Sequence, residues 1–151
     1  MTNSETAISV LVASPFAEDL EAFRLAFRAF GLDWRLIAAP DCGEAWRVLH
    51  RDNVDVVVVE AEFPDGIAWR DLIHEIAEMH GCQAVIVASR LADDRLWAEV
   101  LNLGGYDLLA KPFDRDELVR VIAMAARYSA QKGARSEQRP ERALAASGAV
   151  A

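Results

Sequence analysis

The alternation of apolar and polar stretches along the chain predicts five strands and five helices. The clearest strand is Val54–Val59, where four consecutive valines would leave alternate side chains in water if one face of the strand were exposed. A continuous β-branched run of this kind is typical of a strand buried on both faces of a sheet. Four further apolar runs predict strands: Ile8–Ala13, Trp34–Ala38, Ala84–Ala88 and Tyr106–Ala110.

Between these runs, apolar residues recur at spacings of three and four, which predicts amphipathic helices. The first helix is predicted to start with Ser14 as its N-cap and Pro15 at its first position. The predicted buried stripes are Leu20/Phe23/Phe27/Phe30, Ala45/Val48/Leu49, Trp69/Leu72/Ile76/Met79, Leu96/Val100/Leu103 and Leu118/Val121/Ile122/Ala125.

Two pairs of acidic residues have the spacing of a capping box. Asp41 with Glu44 is predicted to open the second helix, and Asp114 with Glu117 the last one. Strands that alternate with helices over short links predict an α/β fold, a doubly wound parallel sheet of five strands with helices on both faces.

Composition divides the 151 residues into one folded domain and two ends. We expect a flexible N-terminus over residues 1–6, a domain over residues 7–128, and a mobile tail over residues 129–151. The tail is rich in Ala, Gly, Ser, Gln and Arg, and a fragment of helix is predicted near Glu141–Ala146. No further globular domain is expected after Tyr128.

Charge and hydropathy exclude several classes of function. Residues 1–128 hold 12 Lys and Arg against 22 Asp and Glu, which argues against binding a nucleic-acid backbone. No apolar run approaches the roughly 20 residues of a membrane span, and no signal peptide is evident. Cys42 and Cys82 are not spaced as metal ligands. We therefore expect a cytoplasmic protein that binds neither nucleic acid nor membrane.

The third strand ends on Glu60, and the chain then turns through Pro64-Asp65-Gly66. The stretch 104–113, Gly-Gly-Tyr-Asp-Leu-Leu-Ala-Lys-Pro-Phe, supplies a second motif. Together they resemble the receiver domain of bacterial response regulators, and the likeness covers roughly residues 7–128. The resemblance implies a strand-three Asp that takes a phosphoryl group from a histidine kinase. It also implies an acidic pair after strand one that binds Mg²⁺, a hydroxyl after strand four, and a lysine that pairs with the phosphoryl group.

Carried over residue by residue, the family pattern is incomplete. Lys111 matches the lysine, with a cis bond to Pro112 implied, and Ser89 matches the hydroxyl position. The acidic pair falls on Ser14 and Pro15, and the phosphoacceptor falls on Glu60. Because phosphoryl transfer depends on the metal and on positioning, we expect no Mg²⁺ site, no cofactor and no ordinary phosphorylation.

Two interpretations of Glu60 stay open at the level of sequence. Its charge facing Lys111 could mimic the phosphorylated state, or the two could form a purely structural ion pair. For Ser89, a local hydrogen bond is favoured over a role as a switch.

The expected function is protein–protein interaction rather than catalysis. Partners of the kind that the resemblance implies are a histidine kinase, a phosphotransfer protein or an output protein, and a homodimer is possible. Trp97, beside the predicted core stripe of the fourth helix, is one candidate interface residue. Leu108 is the other, at a position where the family often has a Tyr or Phe that gates activation. The alternatives are a conventional phosphorelay receiver with an unusual acceptor and a flavodoxin-like domain that binds a small ligand.

Overall fold

The structure, a computed structural model, describes residues 7–63, 68–79, 81 and 83–150, with side chains up to residue 134. Strands and helices alternate along this part of the chain, as predicted. In chain order they are β1 Ser9–Ala13, α1 Ala17–Ala29, β2 Arg35–Ala39, α2 Cys42–Arg51, β3 Val56–Glu60, α3 Ala68–Glu78, β4 Ala84–Ser89, α4 Asp94–Asn102, β5 Asp107–Ala110 and α5 Arg115–Val150.

The strands form one parallel sheet in the order β2-β1-β3-β4-β5, which confirms the predicted fold class. The valines of β3 explain why this strand is central, because none of the four is more than 1% exposed. Val57 and Val59 pack into the core on the side of α3, and Val56 and Val58 into the core on the side of α1 and α5. The two cores place the carboxyl end of β3 in the middle of one edge of the sheet.

Acidic N-caps begin three of the helices. The Asp41 carboxylate accepts a hydrogen bond from the Glu44 amide at 2.8 Å, and the Asp114 carboxylate accepts one from the Glu117 amide at 2.9 Å. Asp93 caps α4 in the same way. The caps predicted at Asp41 and Asp114 are confirmed.

The predicted N-cap at Ser14 is wrong. Phe16 occupies that position in α1 and makes no side-chain capping bond. The Ser14 hydroxyl instead accepts a hydrogen bond from the Phe16 amide at 3.0 Å and donates one to Asp19 at 2.8 Å. Ser14 is therefore drawn toward a buried carboxylate, and the helix starts two residues later than the sequence suggested.

Three residues predicted to close buried stripes lie partly in solvent. Phe30 and Leu103 are the C-caps of α1 and α4, and Met79 follows the last residue of α3. At these positions the chain leaves the helical path, so the side chain no longer points toward the sheet. Each of the three is at least 36% exposed.

The last helix is much longer than predicted. It runs from Arg115 to Val150, so residues 129–150 are helical rather than only the fragment near Glu141–Ala146. Extending an existing helix avoids the cost of nucleation, and Ala, Gln, Glu, Lys and Arg favour helix. The mobility expected of residues 129–151 stays a prediction, and residues 1–6, Pro64–Gly66 and Ala151 lie outside the described residues.

Candidate functional site

The carboxyl edge of the sheet brings together three of the four strand ends singled out in the sequence. Glu60 ends β3 beside Ala88 of β4, and Ser89 ends β4 beside Ala110 of β5. The Lys111 amide donates to the Ser89 carbonyl at 3.0 Å, which fixes the start of the Lys111 side chain. The Lys111–Pro112 peptide bond is cis, as the resemblance implied.

The Lys111 ammonium lies between two carboxylates. Its Nζ donates to Glu60 Oε1 and, at 2.9 Å, to Asp19 Oδ2. Nζ also lies 4.9 Å from the centroid of the Phe16 ring, where a cation–π contact is favourable. Lys111 as a whole is only 9% exposed. The positive charge is thus enclosed by two acidic groups and an aromatic face.

Both carboxylate oxygens of Glu60 are engaged. Oε1 accepts from Lys111, and Oε2 accepts from the Glu62 amide at 2.8 Å. Glu60 is 1% exposed, among the most buried polar residues of the described chain. A buried charge is tolerated only where it is paired and hydrogen-bonded, and this arrangement meets both conditions.

Asp19 is the residue of the site that sequence reasoning missed. It lies in the first turn of α1, is 6% exposed, and accepts from both Ser14 and Lys111. A signal for it was present, because Asp19 precedes Phe23 by four residues and Phe27 by eight, which places it on the buried stripe. We refer to Asp19, Glu60 and Lys111 as the buried triad.

The other three predicted positions, Ser14, Pro15 and Ser89, are not members of the triad. Ser89 is buried, but its hydroxyl accepts from the Leu91 amide at 2.9 Å and donates to Glu62 at 3.4 Å, not to Glu60. Pro15 is exposed. Ser14 contributes through Asp19, so of the two acidic-pair positions only the first is connected to the site.

Burial and hydrogen bonding act in opposite directions on the two partners. Burial raises the pKa of Glu60 above its ordinary value of 4.5, and the hydrogen bonds from Lys111 and the Glu62 amide offset only part of that rise. Burial lowers the pKa of Lys111, but the hydrogen bonds to Glu60 and Asp19 outweigh it, so the pKa lies above the ordinary 10.5. Lys111 therefore stays charged at neutral pH.

The space beside the triad is closed. A small cavity there is lined by residues that include Ser14, Asp19, Glu60 and Phe113, and it has no volume in which a water molecule could be centred. Mg²⁺ requires about six oxygen ligands in near-octahedral order and usually keeps several waters. The carboxylates of Asp19 and Glu60 already bind Lys111, so this donor set does not fit that ion.

The two candidate interface residues differ in exposure. Trp97, on α4, is 47% exposed, and its indole N–H donates to Asp107 of β5 at 3.2 Å. Leu108 is half-buried and packs against the core on the side of α3. The exposed apolar side chains Leu101, Met124 and Tyr128 lie on α4 and α5.

Comparison with known proteins agrees with this geometry. The sequence profile of the response regulator receiver domain matches residues 16–123. The chain is 29% identical over 120 residues to the DNA-binding transcriptional regulator NtrC of Rhizobium meliloti, a match that covers 80% of this chain and 24% of that protein. It is 31% identical over 85 residues to the transcriptional regulatory protein FixJ of Azorhizobium caulinodans, covering 56% of this chain and 40% of that one. The chain thus spans less than half the length of these relatives.

Solved structures give the same result. The receiver domain of the Francisella response regulator 1452 aligns with a TM-score of 0.68 at 28% identity, covering 80% of this chain and 97% of that chain. The receiver domain of a putative Luxo repressor protein from Vibrio parahaemolyticus aligns with a TM-score of 0.75 at 16% identity, covering 84% and 95%, and at that identity it supports the fold alone.

Over the described residues, none of the helices combines the length and apolarity needed to cross a bilayer. The profile match extends over most of the chain, and the parallel five-stranded sheet agrees with the solved receiver domain of the Francisella response regulator. The chain therefore belongs to the response regulator receiver domain family of two-component signalling systems.

Proposed function

We propose that this receiver domain signals by binding another protein and does not depend on phosphorylation of its strand-three acid. The observation that carries the proposal is the buried triad, in which Lys111 already binds two carboxylates. In the family, this lysine pairs with the incoming phosphoryl group. Here its hydrogen-bonding capacity is directed at Asp19 and Glu60.

The burial of Glu60 supports the first step of the argument. A carboxylate that accepts a phosphoryl group must approach the donor phosphorus with a free oxygen. Both Glu60 oxygens accept hydrogen bonds, and the residue is 1% exposed. Moving Glu60 outward would break its contact with Lys111 and leave that ammonium with Asp19 alone.

The residues at the family's metal-binding positions support the second step of the argument. The family's acidic pair is replaced by Ser14 and Pro15, and the carboxylate that α1 does supply, Asp19, binds Lys111 and Ser14. Phosphoryl transfer in this family relies on a metal ion to neutralise charge on the transferred group. We therefore propose that the domain binds no Mg²⁺ at this edge.

The contacts of Glu60 favour a fixed signal over a vestigial ion pair. Its carboxylate delivers a negative charge to Lys111, where the family delivers a phosphoryl group, and its other oxygen holds the Glu62 amide at the start of the next loop. The ionised carboxylate thereby gives Lys111 a negatively charged partner without any phosphoryl group. Ser89 bonds to the Leu91 amide and to the Glu62 side chain and makes no hydrogen bond to Glu60 or Lys111.

We place the partner-binding surface on α4, β5 and α5, which carries the exposed Trp97. The partner is another protein of the signalling pathway, and no group positioned for catalysis is required. Interfaces concentrate their energy in a few side chains, of which Trp is the most favoured.

Incubation with acetyl phosphate and Mg²⁺, followed by intact-mass measurement, tests the proposal. The native protein is expected to keep its mass, while an ordinary receiver domain treated in parallel gains one phosphoryl group. A second sample, the Ser14→Asp/Pro15→Asp/Glu60→Asp variant, restores the family's acids and controls for access of the reagent. A stoichiometric phosphoryl adduct on the native protein would overturn the proposal and restore a conventional phosphorelay role.

A further inference from the structure

A shallow groove of about 310 Å³ lies between α1 and β2, on the far side of the sheet from α4. Its floor is apolar and its rim carries two arginines. The Phe27 and Trp34 rings meet edge to face, with centroids 5.2 Å apart. The lining residues are Arg24, Phe27, Arg28, Leu32, Trp34 and Leu36.

The groove borders a free strand edge. β2 is the outermost strand of the sheet and pairs only with β1 among the described strands. The Arg35 amide donates to the Ile8 carbonyl at 2.7 Å, and the Ala39 carbonyl accepts from the Ser14 amide at 3.0 Å, so Arg35 and Ala39 face β1. Because ladder bonds alternate along a strand, Leu36 and Ala38 direct their N–H and C=O groups outward.

Unused donors surround the groove. Arg24 and Arg28 are four residues apart on α1, which places them on one face with Cβ atoms about 6 Å apart. Arg24 makes an exposed ion pair with Glu21 at 3.1 Å, whereas Arg28 makes no ion pair with any described residue. The Trp34 indole N–H likewise has no acceptor within the described part of the chain.

We propose that this groove and the edge of β2 bind an extended segment of a partner protein that is rich in Asp or Glu and in aliphatic residues. The segment would add to the sheet as a sixth strand, pairing with the outward groups of Leu36 and Ala38. Side chains on one face of a strand repeat about every 6.6 Å, close to the spacing of the two arginines. Its carboxylates bind Arg24 and Arg28 on the face of the sheet that α1 covers, and its aliphatic side chains lie on the opposite face, beside Ile37.

Charge favours this occupant over a second copy of the chain. A second copy of the chain would bring the same two rim arginines, Arg24 and Arg28, to this edge, so the charges of the two copies would not be complementary. An acidic segment meets the same surface with opposite charge. The proposal goes beyond the proposed function, because the groove lies apart from the buried triad and from Trp97.

A fluorescein-labelled, end-capped peptide in which Glu alternates with Leu or Val is the probe for this surface. Anisotropy titration with the full chain is expected to show saturable binding that weakens as salt is raised. Arg28→Glu is expected to weaken it by at least about tenfold, which corresponds to roughly 1.4 kcal/mol. The matched control is Arg120→Glu, an exposed arginine on α5 that should leave binding unchanged.

A backbone variant tests the strand pairing. Ala38→Pro removes one outward N–H at an edge position where proline is tolerated, and it should remove most of the binding while the domain stays folded. Equal binding by the native protein, Arg28→Glu and Ala38→Pro would overturn the proposal, as would equal binding of a peptide with Gln in place of Glu. Self-association abolished by Ala38→Pro would assign the edge to a second copy instead. A phosphoryl adduct at Glu60 would overturn the proposed function and leave peptide binding as it is.

Discussion

A carboxylate reaches the buried site from α1, at Asp19, and changes what the loss of the acidic pair means. The family positions at Ser14 and Pro15 carry no acid, yet the Lys111 ammonium still has two acidic partners. The second partner is Asp19, which follows Pro15 by four residues. What is lost is therefore an open set of oxygens for a metal ion, while the negative charge around Lys111 is kept.

The contribution of Glu60 to folding stability changes with pH in the direction opposite to that of an ordinary paired carboxylate. The pKa of Glu60 is 4.5 in the unfolded chain and is raised by burial in the folded protein. At pH values between the unfolded-state and folded-state pKa, the folded protein therefore binds more protons than the unfolded chain. The stabilisation linked to Glu60 is thus complete below pH 4.5 and is lost as the pH rises through the folded-state pKa. Measured by urea unfolding, the native protein should gain stability relative to Glu60→Gln as the pH is lowered from 7 toward 4.5.

Glu99 provides a control of opposite sign. Its hydrogen bond from Arg70 lowers the pKa of this carboxyl, so its contribution is present above pH 4.5 and is lost as the pH falls through the folded-state pKa. Relative to Glu99→Gln, the native protein should therefore keep its stability from pH 7 to 4.5 and lose stability as the pH falls below 4.5. If the native protein lost stability relative to Glu60→Gln as the pH was lowered from 7 to 4.5, the burial argument for Glu60 would be wrong.

At the scale of elements, α4 is attached to its neighbours mainly by polar contacts. Val100 is its one buried residue. Arg70 of α3 donates to both Glu99 oxygens, at 2.5 and 3.0 Å, and Trp97 donates to Asp107 of β5. A helix held in this way leaves its outer face free for a partner, and Trp97 stands on that face.

Trp97→Ala should leave the domain folded, with a loss of unfolding free energy below about 1 kcal/mol, because the side chain is 47% exposed. Trp69→Ala is the matched control, since Trp69 is 2% exposed and its truncation should cost about 3–5 kcal/mol. Partner binding or self-association, followed by light scattering, should weaken in Trp97→Ala. A collapse of the fold in that variant would show that Trp97 is a core residue.

Sequence periodicity predicted the elements well and their ends less well. The valines of β3 and the stripe at Trp69, Leu72 and Ile76 are buried as expected, because burial itself imposes the pattern. Phe30 and Leu103 were predicted to be buried at the ends of their helices. Each helix ends one residue before them, so both are C-caps and their side chains are exposed. Nothing in the apolar pattern marks the extension of α5 to Val150, since that segment lacks a stripe of large apolar residues.

At the scale of the whole molecule, topology made part of the site predictable. Parallel strands end at the same edge, so Glu60 and Lys111 could be placed near each other from their positions in sequence, and the structure brings them into contact. Asp19 could not be placed as easily, because an acid in the first turn of a helix is usually at the surface. Its burial depends on how α1 packs against Lys111, which is a tertiary contact.

Unfolding free energies of the native protein, Glu60→Gln, Lys111→Met and the double variant test the buried triad most directly. Glu60→Gln leaves Lys111 with Asp19 as its one charged partner, and Lys111→Met leaves two buried carboxylates without the ammonium, each at a cost of up to about 3–5 kcal/mol. The double variant orphans neither Glu60 nor Lys111, and Asp19 keeps its hydrogen bond from Ser14. The exposed pair Glu21–Arg24, treated the same way, should show a coupling of at most about 1 kcal/mol. We predict that the double variant costs clearly less than the sum of the two single variants. Losses at Glu60 and Lys111 that add to within about 0.5 kcal/mol would contradict the existence of the triad.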